Sequence, residues 1–282
     1  MSERVVGEAP SHRFPPPLDR HYPVVDGRVV TRSLEAHIVD HCNLTCADCC
    51  SLSPALAPRF DDVATLTRDL RLAASVLAPR VFKLVGGEPL LHPELPALAH
   101  AVRASGIAPV LSLTTNGLLL ARAADAVWAS IDAVTVSVYP RIDLDRDRIV
   151  ARAAEHGVTL NWKQQDRFVA MDRATPCDDP AENAAVFDRC WIRERCHLLR
   201  DGVFFTCTRP AHFQRYLGAA RDLSGDGLAL HDGPALRDEL LAYLTRGEAL
   251  ATCALCHGGD APLAPHRLLT RAELTRLRGA RG

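Results

Sequence analysis

The stretch LEAHIVDHCNLTCADC, residues 34–49, joins a strand-like segment to a loop that is rich in thiols. Its first half is short and largely apolar, which predicts a β-strand over Leu34–Asp40. Its second half spaces its cysteines as Cys-x3-Cys-x2-Cys, at Cys42, Cys46 and Cys49. Such a loop can wrap three thiolates around a [4Fe–4S] cluster and leave the fourth iron open. Zinc with three protein ligands is the alternative that the spacing leaves open.

Beyond this loop, strand-like and helix-like segments alternate as far as residue 165. The pattern of apolar residues predicts strands over 34–40, 81–85, 109–115, 133–139 and 158–163, and helices over 61–78, 94–105, 118–130 and 145–156. Alternation of this type is typical of parallel strands connected by crossover helices. These five strands are fewer than the eight of a closed barrel. The expected fold class is therefore α/β, with a partial (β/α) parallel barrel.

The composition excludes several classes of function. Of the 282 residues, 48% are hydrophobic and 24% are charged, which is enough for a packed core. The formal net charge of -1 provides no overall attraction for nucleic acid or an anionic membrane. No apolar run reaches the ~18 residues that a membrane helix needs, and residues 1–17 have no apolar signal core. We therefore expect a cytoplasmic protein with neither a nucleic-acid nor a membrane partner.

The ten cysteines are unevenly distributed along the chain. Four lie within nine residues, none lies between Cys50 and Cys177, and six lie in the last 106 residues. In a chain without a signal peptide, clustered thiols indicate metal binding or catalysis rather than disulfides. Two thiol-rich regions separated by a region without thiols predict two metal sites.

Two further motifs follow the next two predicted strands. Gly86-Gly87-Glu88-Pro89 comes directly after the second strand, and Thr114-Thr-Asn116-Gly117 ends the third. Together with the cysteine loop, these motifs resemble the radical S-adenosylmethionine (SAM) superfamily over residues 34–165. The resemblance implies a [4Fe–4S] cluster on the three thiols of the loop, with SAM on the open iron. It also implies cleavage of SAM to a 5′-deoxyadenosyl radical, which abstracts hydrogen from the substrate.

The same resemblance assigns residues to SAM. Gly86 and Gly87 allow the backbone to approach the methionine end of SAM, and Glu88 contacts its amino group. Asn116 and Ser137, at the C-terminal ends of two strands, are candidate contacts to the ribose or the carboxylate. For both of these residues, a role in turns or caps is the alternative.

The cysteine loop departs from the family at one position. The family usually has an aromatic residue directly before the third cysteine, near the adenine of SAM, and this chain has Asp48. The contact on the adenine side is therefore expected from the backbone or from another residue. Cys50, which follows the motif, is expected to be a spare thiol.

The second group of cysteines resembles the auxiliary-cluster region of SPASM/twitch radical SAM enzymes. Its pattern is Cys190-x11-Gly202-x4-Cys207, followed by Cys253-x2-Cys256. The resemblance implies an auxiliary [4Fe–4S] cluster closed by these four thiols. Cys196 is an alternative to Cys190, because it lies opposite Cys207 if Asp201-Gly202 forms a hairpin turn. A structural zinc on the same thiols is the other alternative.

These patterns divide the chain into four expected parts. The expected parts are an N-terminal extension with an Asp26-Gly27 hairpin over 1–33, a radical SAM partial barrel over 34–170, a small twitch-like auxiliary-cluster domain with a β-hairpin over 171–262, and a basic C-terminal helix or tail over 263–282. Within them, 166–189 is polar and irregular in pattern, and 236–245 is helical in pattern. Thr270 and Glu273 form a capping-box pattern at the start of the last helix.

Three reactions fit this layout. The first is dehydrogenation of a small carbohydrate-like natural-product intermediate, as in the aminocyclitol dehydrogenases of antibiotic biosynthesis, with the auxiliary cluster as electron acceptor. The second is epimerisation as in aminoglycoside epimerases, which needs a cysteine thiol as hydrogen donor, and Cys177 and Cys196 are the candidates. The third is maturation of a peptide, although residues 1–33 are too short for a leader-peptide domain. The layout favours dehydrogenation slightly.

The expected partners are a small polar substrate and an electron donor of the flavodoxin or ferredoxin type. Lys163, Gln164 and Gln165, after the fifth predicted strand, are candidate polar contacts to the substrate, and Trp162 is a candidate wall of its cavity. The substrate class depends on the layout alone.

Overall fold

The computed structural model describes residues 21–279, so expectations for residues 1–20 and 280–282 lie outside the described residues. The strands are β1 Val24–Val25, β2 Arg28–Thr31, β3 Leu34–His37, β4 Leu77–Pro79, β5 Phe82–Val85, β6 Leu111–Thr115, β7 Ala133–Val138, β8 Thr159–Gln164, β9 Arg167–Val169, β10 Leu198–Arg200, β11 Val203–Phe205, β12 Leu228–Ala229 and β13 Leu263–Pro265. The α-helices are α1 Val63–Ala74, α2 Leu95–Ser105, α3 Asp125–Trp128, α4 Arg146–Glu155, α5 Pro180–Arg189, α6 Ile192–Arg195, α7 Arg209–Leu217, α8 Leu236–Thr245 and α9 Arg271–Gly279. Within the described range, no helix is both long enough and apolar enough to cross a bilayer.

The central sheet has eight strands in the order β12-β11-β10-β3-β5-β6-β7-β8. The run from β3 to β8 is parallel throughout, with helices in the connections. This confirms the expected α/β class with a partial parallel barrel. The hairpin β10–β11 turns at Asp201 and Gly202, both at positive φ, and β10 pairs parallel with β3. The auxiliary region therefore extends the same sheet instead of forming a separate one.

The two faces of the central sheet differ in polarity because alternate residues of a strand point to opposite faces. One face packs against the helices and is apolar, with Leu34, Ala36, Phe82, Leu84, Leu113, Val134 and Val136 in one buried cluster. The residues between them in register are mostly polar: Glu35, Lys83, Ser112, Thr135, Asn161 and Lys163. We call this second face the inner face.

Helix ends follow the local signals in the sequence. The Asp62 side chain accepts a hydrogen bond from the Thr65 N–H at 2.8 Å and caps α1. Helix α2 ends at Gly106, which has a left-handed φ of 61°. Helix α9 begins with the expected capping box, in which the Glu273 N–H donates to Thr270 Oγ1 at 3.3 Å and the Thr270 N–H donates to the Glu273 carboxylate at 2.8 Å.

The first segment that differs from expectation is the end of α1. The helix expected over 61–78 ends at Ala74, and Leu77–Pro79 forms β4. Strand β4 pairs parallel with β2, so that Leu77 lies opposite Val29 and both are fully buried. Burial in this small sheet outweighs the local helix pattern.

The helix expected over 118–130 is also wrong, since it divides into two short pieces. A 3₁₀ turn covers Leu120–Arg122, and α3 covers only Asp125–Trp128. Ala123 between them is extended, and its carbonyl accepts a hydrogen bond from the Arg152 guanidinium at 3.4 Å. A partner from another helix thus replaces the intrahelical bond.

The segment 166–189 is not irregular, because it contains β9 and α5. Helix α5 begins with Pro180 at its first position, and the Asp179 side chain accepts from the Ala181 N–H at 2.9 Å. An Asp-Pro pair at a helix start is a signal that the sequence contained. Strand β9 has no comparable local signal, since it pairs with β13, far away in the chain.

Candidate functional site

The loop after β3 brings Cys42, Cys46 and Cys49 into one neighbourhood. Burial and then the nearby thiols of Cys49 and Cys42 raise the pKa of Cys46 to about 12. Burial also raises the pKa of Cys49 to about 12. Three such thiols lose their protons together only if a cationic centre stabilises the thiolates. The loop is therefore suited to hold a metal cluster.

One side of the loop is tied to the end of β6. Asn116 Nδ2 donates to Asn43 Oδ1 at 2.6 Å and to Cys42 Sγ at 3.6 Å. The Leu44 N–H donates to the same sulfur at 3.4 Å. Asn116 was expected to contact SAM, and in this structure it lies directly beside the thiol of the cysteine loop. The contact to SAM stays a prediction.

The other side of the loop is covered by residues 263–269, which we call the C-terminal strap. Its backbone pairs with the loop, since the Ala47 N–H donates to the Arg267 carbonyl at 2.9 Å and the Leu269 N–H to the Thr45 carbonyl at 2.8 Å. His266 Nε2 lies 3.2 Å from Cys46 Sγ. Sequence reasoning missed this contact because a single histidine 220 positions away carries no signal for it.

Gly86 and Gly87 lie against the backbone that leads into the cysteine loop. The Gly87 N–H donates to the Val39 carbonyl at 2.6 Å. A Cβ at Gly86 would overlap the Val39 carbonyl, and a Cβ at Gly87 would overlap that of His41. The glycines therefore allow close contact between two backbone segments. Their expected approach to SAM stays a prediction beside this observed role.

Glu88 is fully buried between β5 and β6. Its carboxylate accepts hydrogen bonds from Thr115 Oγ1 at 2.6 Å, the Asn116 N–H at 2.8 Å and the Leu90 N–H at 3.1 Å. Burial raises the pKa of Glu88 to about 7, and these donors oppose the rise. Glu88 thus joins two strand ends beside the cysteine loop, in addition to its expected contact with SAM.

Three aromatic side chains lie together beside Cys46. In the cysteine loop itself, Asp48 stands where the family usually has an aromatic residue. The rings of Tyr139 and His266 stack with centroids 4.7 Å apart, and Phe168 contacts both. Burial raises the pKa of Tyr139, and the nearby Cys46 thiol adds to the rise. Ser137, a predicted SAM contact, lies near Tyr139 and opposes this rise in its pKa. Only the position of Tyr139 at the end of β7 could have indicated this group from sequence.

The second group of thiols lines a single cavity. Its walls include all four of the expected auxiliary ligands, Cys190, Cys207, Cys253 and Cys256. The cavity is otherwise lined mainly by apolar side chains, and its backbone provides a donor, since the Gly259 N–H bonds Cys190 Sγ at 3.3 Å. Hydrogen bonds to cluster sulfurs and an apolar surround are usual for iron–sulfur sites.

Cys196 does not line this cavity. It precedes β10 and lies close to the Glu35 carboxylate of the inner face, where its interaction with the carboxylate opposes the rise in the pKa of Glu35. This arrangement supports Cys190 over Cys196 as the auxiliary ligand. Within residues 21–279, no group of three or more His, Cys, Asp or Glu side chains is arranged to hold a single metal ion. The thiols of a cuboidal cluster bind separate irons and stand further apart than the ligands of one ion.

Comparison with known proteins gives relatives for about half of the chain. The GTP 3',8-cyclase of Chlorobaculum tepidum is 31% identical over 139 residues, 49% of this chain and 41% of the relative. That of Microcystis aeruginosa is 34% identical over 135 residues, 46% of this chain and 41% of the relative. The chain thus spans about two fifths of the length of these curated relatives. No protein-family model matches the chain.

The fold has a counterpart over most of its length. The solved structure of BtrN in complex with AdoMet and 2-DOIA matches with a TM-score of 0.50, covering 82% of this chain and 94% of that chain at 14% identity. The cysteine loop, the relatives and this fold agree. These findings support the radical SAM superfamily for this chain. They imply a [4Fe–4S] cluster and SAM as its cofactors.

The residues of this chain fit those two cofactors. Cys42, Cys46 and Cys49 provide a thiolate for each of three irons, and Asn116 lies beside the first of them. The buried Glu88 carboxylate lies near Cys42, because Asn116 donates hydrogen bonds both to Glu88 through its backbone N–H and to Cys42 Sγ through its side chain. The site thus combines an incomplete thiol set with a group that suits an ammonium ion.

The two candidate hydrogen donors lie in different surroundings. Cys177 precedes α5, where its thiol lies 3.9 Å from the Asp179 carbonyl oxygen and close to Glu182. Cys196 contacts Glu35 on the inner face and also packs beside the auxiliary thiols.

The candidate substrate contacts at the end of β8 also lie in different surroundings. Lys163 is in register with Ser137 on the inner face and is exposed. Trp162 points to the opposite face, where it packs on the apolar core and the Arg146 guanidinium lies 5.0 Å from its ring. Trp162 as a wall of the substrate cavity is therefore wrong, because strand alternation directs it toward the helices. Gln164 bonds Asp166 at 2.9 Å, and Gln165 is partly buried.

Proposed function

We propose that this chain is a radical SAM oxidoreductase that dehydrogenates a small polar metabolite. An auxiliary [4Fe–4S] cluster on Cys190, Cys207, Cys253 and Cys256 accepts the electron. The observation that carries the proposal is that these four thiols line one cavity. Four protein ligands leave a cluster no open iron, which suits electron transfer rather than binding of substrate.

In this reaction the substrate loses one hydrogen atom, one proton and one electron from a carbon and its hydroxyl, and becomes a carbonyl compound. The cluster and SAM, when bound, supply the radical that takes the hydrogen atom. The chain itself orients SAM through Glu88 and Asn116 and presents the polar inner face to the substrate. Cys196 lies close to Glu35 of that face and packs in the same cluster as three of the auxiliary thiols.

The relatives support a small polar substrate. The cyclases that resemble the barrel are named for GTP, and BtrN was crystallised with AdoMet and 2-DOIA. A carbohydrate-like natural-product intermediate, in a biosynthetic pathway of the antibiotic type, is the substrate class that we propose. A flavodoxin or ferredoxin as electron donor belongs to the same proposal.

The test is an anaerobic reaction of the reconstituted protein with SAM, dithionite and a fraction of polar metabolites. We expect methionine and 5′-deoxyadenosine to form, together with a product two mass units lighter than its substrate. The variant with Ala at Cys42, Cys46 and Cys49 serves as the control and should form neither. A protein with full cluster content that cleaves SAM but returns only products of unchanged mass would contradict dehydrogenation.

Epimerisation is the second candidate, and the position of Cys196 favours it. Its thiol lies on the inner face beside Glu35 and Lys83, where a substrate carbon could receive a hydrogen atom. In D₂O such a thiol carries deuterium, so the epimer would be one mass unit heavier. The same reaction therefore separates the two candidates.

A further inference from the structure

Lysine is almost absent from this chain. Of the 33 basic residues other than histidine, 31 are arginine, and the only lysines are Lys83 and Lys163. Both are on the inner face, Lys83 in β5 and Lys163 in β8. A chain that uses arginine nearly everywhere thus has lysine at two positions, and both belong to the same face of one sheet.

Lys83 is held in place by an acidic neighbour. It lies opposite Glu35 in the parallel pairing of β3 and β5, and its Nζ is 3.6 Å from Glu35 Oε2. The Lys83 side chain is 26% exposed and that of Glu35 only 7%, so Lys83 is the more accessible member of the pair. Cys196 lies on the other side of Glu35.

Lys163 has no such neighbour. It is exposed, and within residues 21–279 no carboxylate forms an ion pair with it. In the order of the sheet, β8 is the fourth strand from β3. The charge of Lys163 nevertheless opposes the rise in the pKa values of both Glu35 and Cys196. By strand register, both lysines lie on the polar inner face of the same parallel sheet.

The position of Lys163 relates it to the radical SAM site. It is in register with Ser137, at the C-terminal end of the parallel strands. Asn116 ends the neighbouring strand at the same level and contacts Cys42 Sγ at 3.6 Å. A molecule bound to Lys163 would thus lie at the end of the sheet where the cysteine loop is.

We propose that Lys163, with the Lys83–Glu35 pair behind it, binds an anionic group of the substrate, either a phosphate ester or a carboxylate. The inference rests on the proposed function for the reaction, and it narrows the substrate from a polar metabolite to an anionic one. The choice of residue agrees with this role. An ammonium is a compact point charge with three rotatable donors, whereas a guanidinium is a wide planar fork. A single oxygen of a bound anion suits the former.

The test is calorimetric titration of the reconstituted protein, loaded with SAM, with three probes. Inorganic pyrophosphate represents a phosphate ester, malonate represents a carboxylate, and myo-inositol is the neutral control. We expect one of the anions to bind and myo-inositol not to bind. Lys163→Met should weaken that binding by at least about tenfold, as expected for loss of a charge-assisted hydrogen bond. Arg148→Met, an exposed change of the same charge on α4, should not change it.

Lys83 needs a double variant, because Lys83→Met alone would leave Glu35 buried without its partner. Lys83→Met combined with Glu35→Gln removes both charges. This double variant should weaken binding of the anion by a smaller factor than Lys163→Met does. If either variant folds poorly, reductive methylation with [¹³C]formaldehyde provides a second measurement on the unmutated chain. The two lysines then give separate NMR signals, assigned with Lys163→Arg, and the bound anion should shift the signal of Lys163.

Cleavage of SAM is measured in the same samples. If SAM is cleaved and both clusters are present, but neither anion binds or Lys163→Met binds it as well as the unmutated chain, the inference is overturned and the proposed function stands. If the anion binds through Lys163 while SAM is not cleaved, the proposed function fails and the anion site stands.

Discussion

His266 Nε2 lies 3.2 Å from Cys46 Sγ, which connects the C-terminal strap to the middle thiol of the cysteine loop. Burial lowers the pKa of His266, so its imidazole is neutral at pH 7. With the proton on Nε2, the ring donates a hydrogen bond to the Cys46 thiolate. Stacking on Tyr139 fixes the orientation of the ring. Because hydrogen bonds to cluster sulfurs influence reduction potentials, we expect this contact to tune the potential of a cluster bound by the cysteine loop.

His266→Phe should lower the reduction potential of the SAM cluster while leaving its iron content unchanged. Loss of a hydrogen bond that contributes about 1 kcal/mol corresponds to a shift on the order of 40 mV for a one-electron couple. The phenyl ring keeps the stacking on Tyr139 and removes only the donor. The measurement is an EPR-monitored redox titration of the reconstituted protein without substrate. His100→Phe, at an exposed position of α2, is the matched control, and equal potentials in both variants would contradict the role of His266.

Glu88→Gln should weaken binding of SAM by about tenfold to a hundredfold at pH 8, because a charge-assisted contact with an ammonium contributes ~1.5–3 kcal/mol. The sign of the pH effect follows from the raised pKa of about 7 for the buried carboxyl. Below pH 7 the group takes up a proton and loses its charge, so affinity for SAM should fall as the pH is lowered from 8 to 6. In Glu88→Gln this part of the pH dependence should be absent.

The measurement for Glu88 is equilibrium binding of SAM to the reconstituted protein at both pH values. Glu94→Gln, at an exposed position before α2, is the matched control. An affinity in Glu88→Gln equal to that of the control would leave Glu88 with only its observed role of joining β5 to β6.

Gly87→Ala should prevent assembly of the SAM cluster. The added Cβ would overlap the His41 carbonyl and lie 2.9 Å from the Cys42 backbone nitrogen, so the start of the cysteine loop must move. We expect iron after reconstitution to fall to about half, since one cluster of two is affected. Gly247→Ala, where a Cβ meets nothing within 4 Å, should bind iron normally. Iron and sulfide analysis decides the matter, and full iron in Gly87→Ala would refute the packing argument.

The parallel sheet was predictable because its signals are local. Strands β5, β6 and β7 fall within the predicted ranges, and β8 extends only one residue beyond its own, to Gln164. The thiols of the cysteine loop were likewise predictable from spacing alone. Helix α5 was missed although Asp179-Pro180 is a helix-start signal.

Other features depend on contacts between distant parts of the chain, and no local pattern contains them. The strap reaches the cysteine loop through an interaction between His266 and Cys46, 220 positions apart. The attachment of β10 to β3 likewise joins residues that the linear pattern keeps in separate regions. The inner-face position of both lysines follows only once the register of the sheet is known.

The auxiliary ligand set can be decided by single substitutions. The unmutated chain should bind about eight irons after anaerobic reconstitution, from two [4Fe–4S] clusters. Cys190→Ala should reduce this toward about four, because Cys190 lines the cavity of the auxiliary thiols. Cys196→Ala should retain about eight, because Cys196 does not line that cavity. The reverse result would make Cys196 the auxiliary ligand in place of Cys190. Zinc in place of iron on these thiols would contradict the proposal of an auxiliary iron–sulfur cluster.

The last prediction concerns the two thiols that were candidates for hydrogen donation, Cys177 and Cys196. Cys177 contacts Asp179 and Glu182 at the start of α5, away from the inner face. We therefore expect Cys177→Ala to cleave SAM and form product at an unchanged rate. Cys196 contacts Glu35, and burial followed by the charge of Glu35 raises the pKa of its thiol to about 12, so it remains protonated at neutral pH.

A protonated thiol at that position has the S–H bond that an epimerase needs, which makes Cys196→Ala the decisive variant. If the reaction is dehydrogenation, Cys196→Ala should still yield the product two mass units lighter, and in D₂O no deuterium should appear on its carbon. Both clusters should be intact by EPR and iron analysis, so that a change in product cannot arise from cluster loss. An epimer that carries one deuterium in the unmutated protein and disappears in Cys196→Ala, with SAM cleavage retained, would establish epimerisation in place of dehydrogenation.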